Sequence, residues 1–198
     1  MKYTHIVVGA GSAGAALATR LSEDPKRSVL LLEAGPDYPD LETMPVDLKF
    51  GWGTGADFVV EDEHNWKYTA KSTDQGPPMD VPRGKVTGGT SAINGQVFLR
   101  AIPEDFENWV SMGNDEWSYE QVLPYYRKLE TDTDFSDDFH GTDGPIVVRR
   151  HPLDDLQPDQ AAFYNACVAA GYSENLDHNH PEATGVGPYP LNNPEGIR

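Results

Sequence analysis

The sequence holds a single cysteine, Cys167, among 198 residues. One thiol excludes an internal disulfide framework and a thiolate metal centre. Basic residues are scarce too: 15 Lys and Arg stand against 32 Asp and Glu, a formal charge of −17. Nucleic acid and anionic membrane surfaces repel such a chain, so its charge reads as a solvated surface. No apolar run approaches the length of a membrane span; the longest near the start is "IVVGAG". Met1-Lys2-Tyr3 leads straight into a strand-like segment, with no apolar leader and no cleavage site. These absences set the expectation of a cytoplasmic protein without a membrane span or a nucleic-acid partner.

What is present fits a globular core. Hydrophobic residues make up 38% of the chain and aromatics 10%, too much for a disordered tail. The length suits one medium domain, or one domain and part of another.

Residues 4–8, "THIVV", read as a buried strand. "AALATRLSED" reads as a helix, with Ala16, Leu17 and Leu21 at helical spacing, and residues 28–33 read as a second buried strand closed by Gly35. This is one strand–helix–strand unit of a parallel sheet, and it sets the fold class as α/β. From 36 to about 82 the pattern weakens: "GPDYPD" and "GWGTG" are loop-like, and "HNWKYTAK" suits a short strand. "EDFENWVSMG" predicts a short helix. "SYEQVLPYYRKLE" predicts a stronger one, with Ser118 and Gln121 as a capping pair and Val122, Tyr125, Tyr126 and Leu129 as an apolar stripe. Pro124 inside it predicts a kink or a late start. "HGTDGPIVVRR" reads as a turn into a strand. "PDQAAFYNACVAAG" reads as a helix with Pro158 in its first turn and Gly171 at its end. On that helix Phe163, Ala166, Cys167 and Ala170 share a face, which predicts a buried, inert thiol. The Pro- and Gly-rich tail after it reads as loop.

Gly9, Gly11 and Gly14 form G-x-G-x-x-G between the first strand and its helix, and Glu33 ends the next strand. A dinucleotide fingerprint requires this context. The first glycine permits a tight turn, the second lets backbone approach a pyrophosphate, and the third lets helix and strand pack closely. The helix N-terminus, at Ser12 and Ala13, supplies free N–H groups and a positive dipole end. This is how an acidic chain holds an anionic cofactor without a basic patch. Glu33, followed by Ala34, accepts hydrogen bonds from ribose hydroxyls, and its charge disfavours a 2′-phosphate. These residues leave NAD and FAD both open.

A second stretch, "GKVTGGTSAINGQ", places Gly88 and Gly89 side by side with Thr90, Ser91 and Asn94 close after them. Its plain reading is a Gly-Gly turn into a helix capped by Thr90 or Ser91. Taken with "GAGSAG", "LLEAG" and "RGKVTGGTSAINGQVFLRAIPEDFENW", it resembles the N-terminal part of the glucose–methanol–choline (GMC) oxidoreductases, which use FAD. The family signature falls on Gly84, Lys85, Gly88, Gly89, Thr90, Ser91, Asn94, Phe98 and Ala101. Thr87 departs from it, since the family prefers an aliphatic residue there. "WSYEQVLPYYRKLE" and "FHGTDGPIVV" also resemble family segments, so the likeness runs along nearly the whole chain.

The resemblance implies an incomplete FAD-binding Rossmann-like parallel sheet with part of an α+β substrate domain. It implies an FAD-binding part over 1–150, with a flavin loop at 83–97, and the start of a substrate-binding region over 151–198. It places Val86, Gly89, Asn94, Gly95, Gln96 and Val97 on the flavin side. Some members attach FAD through a histidine just before the Asn; Ile93 stands there, which implies non-covalent FAD. The implied reaction is oxidation of an alcohol by hydride transfer to flavin N5, with oxygen or another acceptor reoxidising the flavin. The family's catalytic histidine and second signature match nothing before Arg198. The chain therefore reads as an N-terminal piece of a longer enzyme, or as one piece of a split enzyme with a C-terminal companion chain, and no catalytic residue is assigned. A lyase or photodecarboxylase of the same fold, or a non-catalytic flavin-binding fragment, stays open beside it.

His178 and His180 in "DHNHPE", and His140 before Gly141, read as loop and turn residues. Asp132, Asp134, Asp137 and Asp138 lack the order of ligands and the central glycine of a calcium loop, so no metal is expected.

Overall fold

The computed structural model describes residues 2–50 and 62–198. The "GWGTG" stretch at 51–55 lies outside the described residues. The chain divides into two compact units, Met1–Gly95 with Ile197–Arg198, and Gln96–Gly196.

The first unit begins with strand β1 (His5–Val8), helix α1 (Ser12–Ser22) and strand β2 (Val29–Leu32). The two strands pair in parallel, His5 opposite Val29 and Val8 opposite Leu32. The β-branched run of β1 suits a pleated strand, and the Ala- and Leu-rich run after the glycines suits a helix. Val7 and Ala18 are buried where strand and helix meet. On β1 the side chains alternate: Val7 points inward, while Ile6 is 62% and Val8 81% exposed. Leu31 and Leu32 of β2 are exposed as well. A parallel sheet is ordinarily covered on both faces, and here Ile6, Val8 and Leu32, on the face away from Val7, are exposed.

A short helix α2 (Val46–Phe50) then buries Leu48. Strands β3 (Tyr68–Lys71) and β4 (Pro78–Val81) form an antiparallel hairpin, with Tyr68 opposite Val81. The sequence predicts β3 but not β4, whose "PMDV" carries two poor strand formers; Pro78 is tolerated because it opens the strand. After the hairpin the chain returns to the glycine turn: Gly88 donates its N–H to Ala10 O at 2.8 Å. The expected capped helix is a 3-10 turn over Gly89–Ala92 with no side-chain cap. Thr90 Oγ1 instead accepts the Gly84 N–H at 3.2 Å, and Ser91 Oγ donates to Gly88 O at 2.7 Å.

The second unit carries helices α3 (Pro103–Ser111) and α4 (Tyr119–Leu129), then strands β5 (Glu130–Asp132) and β6 (Ile146–Val148), paired in parallel, and helix α5 (Pro158–Ala169). Phe106 of α3 is buried against Tyr119 and Tyr126 of α4, with ring centroids 6.1 and 6.3 Å away. The stripe predicted on α4 is therefore shifted. Tyr119, Val122, Leu123 and Tyr126 face inward, while Tyr125 is 71% exposed and Leu129 is exposed too. Ser118 caps α4 by accepting the Gln121 N–H at 3.4 Å. The helix starts at Tyr119, so Pro124 sits inside it and no late start occurs.

Helix α5 keeps Pro158 in its first turn, and Gly171 closes it at φ +92°. The buried Cys167 face is not there. No residue of α5 is buried, Phe163 is 67% exposed, and Cys167 is half-buried. Apolar residues scatter round this helix, so periodicity alone sets no single inward face. The tail is loop, but paired loop: Leu191 exchanges two hydrogen bonds with Arg149, and Pro190 and Leu191 are buried.

Candidate cofactor-binding site

A cleft of about 780 Å³ opens in the first unit. Gly9, Gly11, Glu33 and Ala34 line it from the β1–α1 turn and the end of β2. Trp66, Tyr68, Val81 and Arg83 line it from the hairpin, and Gly84, Gly89 and Thr90 complete the lining.

The glycines are required by contact. A Cβ on Gly14 would stand 1.9 Å from Gly9 O and 3.4 Å from Val7 Cγ1, so this position lets α1 press against β1. A Cβ on Gly89, whose φ is +59°, would stand 2.9 Å from Gly11 Cα. The two sequence motifs thus touch main chain to main chain, with Gly11 and Gly88 paired as a β-bridge. Among the described residues, a Cβ on Gly11 itself would meet only Gly89 Cα, at 3.8 Å. That open space beside the backbone is what a close-approaching ligand needs.

Helix α1 starts at this turn. Its first N–H groups, on Ser12, Ala13 and Gly14, have no acceptor within the helix. Among the described residues no side chain caps them, and the first turn of the helix has no acidic residue. The uncapped positive end of an eleven-residue helix is an anion site.

Glu33 Oε2 accepts the Ala10 N–H at 2.7 Å and Oε1 accepts the Gly35 N–H at 3.0 Å. Burial pushes the carboxyl up, but the N–H groups of Ala10, Gly35 and Ala34 outweigh it and hold Glu33 below its ordinary range. The carboxylate is therefore charged and aimed, with lone pairs left for a diol.

The hairpin wall is what the sequence reading missed. Trp66 and Tyr68 stack with ring centroids 6.0 Å apart and planes 1° from parallel, and Lys85 Nζ lies 5.3 Å from the Trp66 ring centroid. Arg83 brings a guanidinium to the cleft, and its Nη1 donates to Pro82 O at 2.8 Å. The available signal was the W-x-Y spacing, with an arginine just before Gly84.

The structure gathers Gly9, Gly11, Glu33, Ala34 and Gly89 in the lining of one cleft; Val86, Asn94, Gly95, Gln96 and Val97 are not among its described lining residues. Val86 is buried in the core of the first unit. Asn94 and Gly95 end that unit; Asn94 is exposed, and its Oδ1 accepts from Arg198. Gln96 and Val97 belong to the second unit. Gln96 is buried at φ +60°, its Oε1 accepting from Asn193 Nδ2 at 2.9 Å. Val97 bridges to Leu191.

The second unit holds a buried ion cluster. His140, read from sequence as a turn residue, is 1% exposed. Its Nε2 lies 2.9 Å from Asp177 Oδ2, and its Nδ1 lies 3.1 Å from Asp132 and 3.2 Å from Glu130. Arg100 pairs with Glu130, and Arg150 bonds Asp132 at 2.9 Å and Asp177 at 2.8 Å. Burial pushes the imidazole down, but the bonds to Asp132, Asp177 and Glu130 outweigh this and raise His140 to about 11. The same contacts hold Asp132, Glu130 and Asp177 low. Glu130, Asp132 and His140 have ligand atoms within 4.8 Å of one another, a spacing a metal ion can use. Two guanidinium groups already lie against these carboxylates, which makes the set a closed ion cluster. His178 and His180 lie in a loop, His178 bonded to Asn175 and Gly187, and His180 against the Phe139 ring.

The GMC oxidoreductase family model matches residues 3–198. The chain is 42% identical over 193 residues to the "Uncharacterized GMC-type oxidoreductase in thcA 5'region" of Rhodococcus erythropolis, covering 94% of this chain and 36% of that protein. It is 43% identical over 196 residues to the oxygen-dependent choline dehydrogenase of Stenotrophomonas maltophilia, covering 94% and 33%. The crystal structure of pyridoxine 4-oxidase from Mesorbium loti superposes with a TM-score of 0.86 at 32% identity, covering all of this chain and 38% of that one. The chain belongs to the GMC oxidoreductase family, a family of flavoproteins with an α/β Rossmann-like fold. It spans about a third of the length of the curated relatives it matches. Among the described residues, no helix is long and apolar enough to cross a membrane.

Proposed function

We propose that this chain supplies the FAD-binding N-terminal part of an alcohol-oxidising flavoenzyme, with the cofactor held non-covalently. The observation that carries the reading is the glycine-lined cleft, where an uncapped helix end and the aimed Glu33 carboxylate lie together. The donor set fits the group. Backbone at Gly9, Gly11 and Gly89 admits a pyrophosphate, the N–H groups of Ser12, Ala13 and Gly14 and the Arg83 guanidinium meet its charge, and Glu33 beside Ala34 takes the ribose hydroxyls. Val86 supports the flavin loop from the core, and Asn94 to Val97 serve the flavin side. Ile93 offers no atom for a covalent link. When bound, FAD supplies the ring that accepts hydride from the alcohol carbon.

The proposed division of labour is an FAD-binding part over 1–150 and the start of a substrate-binding region over 151–198. The alcohol, and the oxygen or other acceptor that follows it, are small molecules met in the cytoplasm. No base is assigned here: His140 is held by three carboxylates, and His64 Nε2 lies 2.7 Å from the Tyr38 hydroxyl. The rest of the active site comes from the remaining length of the family fold or from a companion chain.

The test is equilibrium binding to the purified protein, followed by flavin fluorescence. FAD is expected to bind and to wash out after acid denaturation, ADP to compete, and NADP not to compete. No FAD binding, or flavin that stays attached to denatured protein, overturns the corresponding part of the reading.

A further inference from the structure

Arg198 groups with the first unit, although it lies 104 residues from Asn94 along the chain. Its main-chain N–H donates to Lys49 O at 2.8 Å and its Nε to Leu48 O at 3.0 Å. Nη1 donates to Ser91 O at 2.6 Å and to Asn94 Oδ1 at 2.9 Å, and Nη2 donates to Asn94 O at 2.8 Å. Every one of these acceptors is an uncharged carbonyl oxygen. Burial lowers the guanidinium to about 10, so it stays charged at neutral pH. A half-buried cation whose acceptors among the described residues are all carbonyls suits a fixed clamp, because a planar guanidinium reaches several oxygens at once in a rigid fork. It also settles an ambiguity at Asn94. Arginine only donates, so the oxygen end of the Asn94 amide must face it and the NH₂ end must point the other way.

We propose that Arg198 is a positioning residue for the flavin loop: it joins α2 to residues 91–94 and fixes the Asn94 amide in one orientation before the cofactor arrives. The inference rests on the reading that Asn94 serves the flavin side. A preset loop loses less freedom on binding, so the clamp acts on affinity for the flavin half of the cofactor. The ADP half meets other residues, at Gly9 to Gly14 and Glu33.

The two halves give the test its contrast. Arg198→Ala, Arg198→Lys, Asn94→Ala and the Arg198→Ala/Asn94→Ala double variant are made in the full-length protein. Dissociation constants are measured for FAD and for ADP, with the visible spectrum of the bound flavin. Arg198→Ala and Asn94→Ala are each expected to weaken FAD about tenfold, the double variant to be no worse than either, and ADP affinity to stay within twofold of the parent. Arg198→Lys is expected to lose most of the effect, since an ammonium cannot bridge Leu48, Ser91 and Asn94 together. Millimolar methylguanidinium is expected to restore FAD binding to Arg198→Ala. Unchanged FAD affinity in Arg198→Ala, or equal loss of FAD and ADP, overturns the inference. Failure of the parent to bind FAD overturns instead the functional reading on which it rests.

Discussion

Glu33 and Ala10 are joined by a 2.7 Å hydrogen bond that ties the end of β2 to the turn after β1. The bond sets the carboxylate beside the glycine backbone, so in the proposed binding mode one contact places both the ribose acceptor and the pyrophosphate turn. Glu33→Gln keeps the size but removes the charge and replaces one acceptor with a donor facing an N–H. FAD affinity is expected to fall about tenfold, roughly 1.4 kcal/mol, and discrimination against NADP to relax. Calorimetric titration with both dinucleotides checks it.

Gly11 and Gly14 separate approach from packing. Gly14→Ala drives a methyl to 1.9 Å from Gly9 O and is expected to destabilise the fold by about 1–3 kcal/mol, read as a lowered Tm. Gly11 has φ −73°, which alanine tolerates, and among the described residues its Cβ would meet only Gly89 Cα at 3.8 Å. Gly11→Ala is expected to keep its Tm and lose FAD affinity. Equal Tm losses in the two variants would argue that Gly11 is there for packing alone.

The His140 cluster gives stability a pH dependence on both sides. His140 is raised in the folded state, so its contribution is complete below the unfolded value of about 6.5 and is lost as pH rises towards about 11. Glu130, Asp132 and Asp177 are lowered, so theirs is complete above the unfolded carboxylate range and is lost in acid. Stability is therefore expected to peak between about pH 5 and 6.5 and to fall by up to about 1.4 kcal/mol per unit through pH 7–10. His140→Gln is expected to be less stable at pH 6 and to show no such alkaline slope in urea titrations.

Trp66 offers an optical report on the cleft. It stacks on Tyr68 in the lining, so FAD binding is expected to quench its emission. Trp66→Phe should remove most of the FAD-induced change in tryptophan fluorescence. An undiminished change would place the flavin against another tryptophan.

Local chemistry explains what the sequence disclosed. The β1–α1–β2 unit was legible because strand, glycine turn, helix and acidic strand end follow one another within 33 residues, each with its own periodicity. Gly88 and Gly89 were legible as a tight turn, though not as the turn that meets Gly11, because that contact joins residues far apart in the sequence. Arg83, Trp66 and Tyr68 were hidden for a related reason: they line the cleft through the β3–β4 pairing, and β4 has almost no strand character of its own. His140 looked like a turn residue because its backbone is one. The carboxylates that hold it, Glu130, Asp132 and Asp177, and the arginines that pair with them, Arg100 and Arg150, are spread from residue 100 to residue 177. Cys167 misled because helical spacing names a shared face but not whether anything packs on it.

The His140 cluster also bears on how the protein meets salt. Its three carboxylates face three cations, so the cluster is close to neutral as a whole. Nearly all of the −17 excess therefore resides on the rest of the molecule, where acidic side chains repel one another through water. Dissolved ions screen exposed charges far more than buried pairs. Added salt thus relieves the repulsion and leaves the internal pairing intact, so rising ionic strength tightens this fold where it would loosen one held by surface ion pairs.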